Sequence, residues 1–135
     1  MTSRDLARSL IEKASLRMDI LDLLLGKQAY SDVVREAQEI VELASKGMLR
    51  AVGVEPPKFH DVGSLLVEHR GKYGQDVSMH VERIASISKK LRRERELSFY
   101  GEIDFIPTEE YTLEDAGQAR EDAEFVVTLA KKLLE

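Results

Sequence analysis

A chain of 135 residues, 43% hydrophobic and 33% charged, is long enough to bury one core and too apolar to remain disordered. Lys and Arg number 20 against 25 Asp and Glu, a net charge of −5, which excludes a general polyanion coat and leaves any nucleotide or nucleic-acid contact to a local basic patch. Cysteine is absent, so no disulfide framework is available. The apolar runs are short (Leu23-Leu24-Leu25, then Gly26) and Met1 to Leu6 lacks a signal-peptide pattern, so no membrane span and a cytoplasmic location are expected.

The pattern is helical throughout. Ser3 is a candidate cap for a first helix from Arg4, in which Leu6, Leu10, Ala14, Met18 and Leu21 recur at three or four residues and Gly26 ends the run. Ser31 is the candidate cap of a second helix with the stripe Val33, Ala37, Val41, Ala44, Met48 and Val52. Gly53 and Pro56-Pro57 follow as a stop signal. A short third helix is predicted from about Asp61 to His69, then a turn at Gly71 to Gly74. A fourth helix runs from near Asp76 to about Phe99. The loop from Gly101 to Tyr111 contains the only extended-looking stretch, Ile103 to Ile106. Thr112 and Asp115 form a capping-box pair for the last helix, which carries Leu113, Ala116, Ala119, Ala123, Val126, Val127, Ala130 and Leu134, with Lys131 and Lys132 near its C-terminal dipole. No repeat or domain boundary interrupts the chain. The expectation is a single all-α domain over 1–135, an antiparallel, up-and-down bundle of four to five helices whose Ala- and Val-rich stripes favour dimerisation.

Few chemistries are written in the residues. His60, His69 and His80 form no pair on one helical turn, so no metal site is expected. There is no GlyxSerxGly elbow and neither phosphate-loop pattern, and no cofactor is implied. The densest positive feature is Lys89-Lys90-Leu91-Arg92-Arg93-Glu94-Arg95, in which five of seven residues are basic. It reads either as a solvated helix end suited to the C-terminal dipole or as an anion site, with Lys89, Arg92, Arg93 and Arg95 holding phosphate oxygens and Tyr100 stacking on a base or donating its hydroxyl. At the entry to the third helix, His60 and Asp61 are expected to be structural, capping or packing the turn after Pro56-Pro57.

Two stretches resemble a known family. Arg35 to Lys46, then Gly53, Pro57-Lys58-Phe59-His60-Asp61-Val62 and Leu65-Leu66, look like the front half of a HEPN domain. Arg95-Glu96-Leu97-Ser98-Phe99-Tyr100-Gly101, a loop and a long helix from Thr112 look like its back half. The resemblance implies a four- or five-helix bundle, usually a dimer. Such proteins often accompany a minimal nucleotidyltransferase, commonly in toxin–antitoxin pairs of bacteria and archaea. Some members bind nucleotides, and many are metal-independent ribonucleases whose Arg and His, with four to six residues between them, meet across the dimer.

The chain departs from that catalytic pattern. None of its eleven arginines has a His five to seven positions later, and the comparable place after Arg95 holds Tyr100. Cleavage through the 2′-hydroxyl without metal needs a group that exchanges protons near neutral pH. His does so, and Tyr, with a pKa of roughly 10, does not. The resemblance therefore implies binding more than cleavage: an accessory protein that holds a nucleotide, phosphate or RNA around Lys89, Arg92, Arg93, Arg95 and Tyr100 beside a minimal nucleotidyltransferase. The rival readings are a ribonuclease toxin using Arg95 and Tyr100, and a structural dimer with no ligand.

Overall fold

The computed structural model describes residues 3–56, 58 and 61–135. The expected four long helices are present as α1 (Ser3–Gly26), α2 (Tyr30–Ala51), α5 (Val81–Phe99) and α7 (Leu113–Lys132). Between them lie α3 (Val62–Glu68), α4 (Gln75–Ser78) and α6 (Pro107–Glu110), and no strand occurs among the described residues.

The path of α1 differs from its sequence pattern at the N-terminal end. Ala7, Ile11, Ala14 and Leu21 are buried, whereas Leu6 and Leu10 are only half-buried. The reason is a close approach to α2. A Cβ on Gly47 would lie 2.6 Å from Ile11 Cγ1 and 3.2 Å from the Ala7 carbonyl oxygen, so only glycine lets Ala7 and Ile11 seat there. Ser3 is helical rather than a cap, and its hydroxyl donates to the Arg50 carbonyl at 2.9 Å. Arg4 donates to the Leu133 carbonyl at 3.1 Å. The start of α1 thereby satisfies end carbonyls near the C-termini of both α2 and α7, which such helix ends otherwise leave to water.

The chain reverses between α1 and α2 in three residues. Gln28 takes the left-handed conformation, with φ 61°, and the amides of Gln28 and Ala29 bond back to the carbonyls of Leu25 and Leu24. This tight turn starts α2 at Tyr30. Ser31 is consequently buried inside the first turn and does not cap the helix. The expected stripe of α2 is buried from Val33 to Met48, with Val52 half-buried, but so are Val34, Gln38, Ile40, Ser45 and Leu49, which lie on other faces. The central position of α2 explains this: it packs against α1, α5 and α7 and touches α3. The helix stops at Gly53, φ 78°, with the Gly53 and Val54 amides bonded to Arg50 and Leu49.

Asp61 caps α3 by accepting from the Gly63 amide at 3.0 Å. The turn after it includes a single 3₁₀ turn, Arg70–Lys72, and delivers Tyr73 into the core, where its hydroxyl donates to the Met48 carbonyl at 2.8 Å. The expected fourth helix is broken at Met79 and His80, and the His80 ring meets Phe125 of α7 edge-on at 5.4 Å. The stretch expected to be extended is instead a turn closed by an isolated bridge, Glu102 to Phe105, and α6 follows with Pro107 in its first turn. The Thr112–Asp115 capping box forms. Its neighbour Leu113 is 60% exposed, whereas Ala116 in the same turn is fully buried, because Leu113 lies about 100° around the axis from the line of Ala119, Ala123 and Ala130.

The order is up, down, up, down. Arg120 on the first half of α7 pairs with Asp22 near the end of α1 at 2.5 Å, and Arg35 near the start of α2 reaches the end of α5. The hydrogen bonds to Asp22 and Glu124 hold the Arg120 guanidinium above its ordinary pKa. α5 and α7 pack on different sides of α2 and hardly touch each other.

Candidate functional site

The basic cluster occupies the second half of α5, and the helix distributes it rather than gathering it. At 100° per residue, Arg92 and Arg95 turn towards α2 and α3, Lys90 turns to the other flank, and Lys89, Arg93 and Tyr100 face outward. All six side chains are exposed. Arg95 and Tyr100, five positions apart, lie about 140° apart around the axis, so within one chain they do not converge.

Two of the arginines are held. Arg92 Nη1 lies 3.6 Å from Asp61 Oδ1, the carboxylate that caps α3. Arg95 Nη2 lies 3.6 Å from Glu39 Oε1, which also meets Arg35 Nη2 at 3.5 Å. Arg35 in turn donates from Nη1 to the Arg95 carbonyl at 3.2 Å, and its guanidinium sits 5.0 Å from the centre of the Phe99 ring. One carboxylate thus serves two guanidinium groups, and a positive charge is left over at the junction of α2 and α5. Arg35 and Glu39 were not legible as site residues, because nothing local to α2 distinguishes them from an ordinary i, i+4 pair. Lys89 and Arg93 have no ion pair among the described residues.

Beside the cations is an apolar surface. Phe99 is 52% and Tyr100 71% exposed, their rings edge-to-face at 5.0 Å, and the following turn adds Ile103 and Ile106. No described histidine belongs to this place. His80 precedes α5, fifteen residues before Arg95, a rise of about 22 Å along the axis. His69 follows the far end of α3 from Asp61. His60 lies outside the described residues, so its expected structural role has no geometry to set beside that of Asp61.

The family model for the HEPN domain matches residues 7–133, nearly the whole chain. The chain belongs to the HEPN family. The all-α bundle described above is the helical architecture of that family. No curated protein sequence matches this HEPN chain. Among the described residues, no helix is long and apolar enough to cross a membrane, and no group of three or more His, Asp or Glu is disposed to hold a metal ion.

Proposed function

We propose that this HEPN protein binds phosphate-bearing ligands, nucleotide or RNA, on the α5 face formed by Lys89, Arg92, Arg93 and Arg95, and that it acts as the accessory partner of a minimal nucleotidyltransferase, in the toxin–antitoxin setting its family suggests. The observation that carries this is the surplus of guanidinium groups around Glu39, next to the exposed Phe99–Tyr100 pair. Arg offers two parallel donors to phosphate oxygens, and an exposed aromatic ring offers a base a stacking surface. The same apolar surface suits a two-fold contact between copies, which would bring Arg95 and Tyr100 of the two chains towards one another. Cleavage is not favoured: no described histidine accompanies Arg95, and the place five positions after it holds Tyr100.

The test is binding of a fluorescent RNA and of a nucleoside triphosphate across a salt series. Replacing Arg92, Arg93 and Arg95 by Ala weakens binding strongly and flattens its salt dependence, since fewer counterions are released. Replacing Lys131 and Lys132 on α7 leaves both nearly unchanged. Equal binding by the triple variant and the wild type would reduce the cluster to a solvated helix end. Robust metal-independent RNA cleavage abolished by Arg95→Ala would replace the accessory reading with that of a ribonuclease. Co-purification from the native host, with partners identified by mass spectrometry, tests the nucleotidyltransferase.

A further inference from the structure

Because α5 and α7 splay apart, a cleft of about 470 Å³ opens between them, with Val34 of α2 in its wall and the 105–111 segment along one side. That volume is in the range of small-molecule sites, about 300–1,000 Å³. Its charge is opposite to that of the neighbouring α5 face. Five carboxylates line it, Glu94, Glu110, Glu114, Asp115 and Asp122, against one cation, Lys90. None of the five is ion-paired to Lys or Arg among the described residues.

The second observation is the state of Asp122. Its residue is only 5% exposed, and it lines the cleft. Its Oδ1 accepts from Gln118 Nε2 at 2.9 Å, a neutral amide, and its Oδ2 has no partner among the described residues. A buried carboxylate is ordinarily paired with a cation or fully hydrogen-bonded. Asp122 is neither, and the surface it retains opens into the cleft. The other lining groups are apolar or aromatic: Leu91, Leu97, Phe105 and Tyr111, the two rings 5.7 Å apart and edge-on. The Tyr111 hydroxyl donates to Glu94, so that carboxylate is already engaged, and burial together with Glu94 holds the phenol protonated well above its ordinary range.

We propose that this cleft is a binding site for a small aliphatic polyamine. One ammonium group takes the free oxygen of Asp122 at depth, the methylenes run along Leu91, Leu97 and the two rings, and a second ammonium lies at the rim with the exposed Glu110 and Glu114. Carboxylates hold ammonium groups by charge-assisted hydrogen bonds, and aromatic faces favour cations. A hydrated metal ion would leave the apolar walls unused, and an anion is repelled.

The experiment is calorimetric titration of the full chain with spermidine at about 150 mM salt, where diffuse screening is short-ranged. One spermidine per chain is expected. Asp122→Asn, and separately the rim pair Glu110→Gln with Glu114→Gln, each weaken it by about tenfold, the loss of charged hydrogen-bond partners. The exposed pair Glu55→Gln with Glu121→Gln removes the same charge elsewhere and leaves binding unchanged. Should Asp122→Asn not fold, the rim pair decides. Absence of binding, equal weakening by the control pair, or full displacement by magnesium at matched ionic strength would overturn the proposal.

Discussion

Arg92 meets Asp61 at 3.6 Å, and Asp61 at the same time caps α3 through the Gly63 amide at 3.0 Å. The cap and the basic cluster therefore share one carboxylate. Asp61→Ala should cost about 1–2 kcal/mol, the loss of an N-cap. Asp61→Asn keeps a capping oxygen and gives up only a half-exposed ion pair, so it should cost less than about 1 kcal/mol. Thermal melts of the two variants separate the contributions. Equal losses would mean that the pair with Arg92, not the cap, carries the effect.

Glu39 restrains two guanidinium groups at the proposed anion face. Glu39→Gln removes the carboxylate that pairs with both and makes the face one unit more positive, while Arg35 keeps its bond to the Arg95 carbonyl. Phosphate or nucleotide affinity should rise a few-fold, in line with about 0.5–1 kcal/mol for partly exposed pairs. Titration at low salt measures it. A fall in affinity would show that Glu39 holds the arginines in their binding geometry.

Gly47→Ala sets two effects against each other. Alanine favours the helix by about 1 kcal/mol over glycine. The added methyl, however, collides with Ile11 Cγ1 at 2.6 Å and approaches the Ala7 carbonyl at 3.2 Å, in a place where Ile11 is fully buried. Overpacking of this kind costs about 1–3 kcal/mol, so the net change is destabilising. A raised melting temperature would mean that α1 slides away freely.

Tyr73 and Tyr111 both have pKa values raised by burial, and Tyr111 further by Glu94. A phenol that is harder to ionise when folded contributes stability that is complete below its unfolded pKa, about 10, and is lost as pH climbs towards the folded value. Their contribution is therefore constant through neutral pH and declines only above about 10. Tyr73→Phe should flatten the alkaline fall in melting temperature. It should also lower the melting temperature at neutral pH by removing the bond to Met48, worth about 1 kcal/mol. Melts between neutral and strongly alkaline pH check both.

The long helices were legible because their periodicity follows from burial on one face, and the Thr112–Asp115 box and Gly53 because caps are local chemistry. What local pattern missed was set by distant contact. The face of α1 is decided by Gly47 and the break before α5 accompanies the packing of His80 on Phe125; only the loss of Ser31 as a cap is local, set by the left-handed turn at Gln28. The basic residues of the candidate site were visible as a run. Their division among three flanks follows from helix geometry, but their tethers, Glu39 and Asp61, come from elements 31 or more residues away. The acidic cleft was harder still. Glu110, Glu114 and Asp115 sit in the first turns of α6 and α7, where acids are ordinary, and only the fold brings Glu94 and Asp122 beside them.

With α2 bonded to three long helices and α5 barely meeting α7, the bundle behaves as a rib carrying separate wings. Opening of the α7 wing severs contacts to α1 and α2 but hardly any to α5, and opening of the α5 wing hardly disturbs α7. Native-state amide exchange should accordingly resolve distinct cooperative units, with α2 the slowest to exchange because either opening leaves it covered by the other partners. A cation that bridged α5 and α7 would fuse the two wings, so the same measurement would register occupancy of the cleft as a merging of two opening free energies into one.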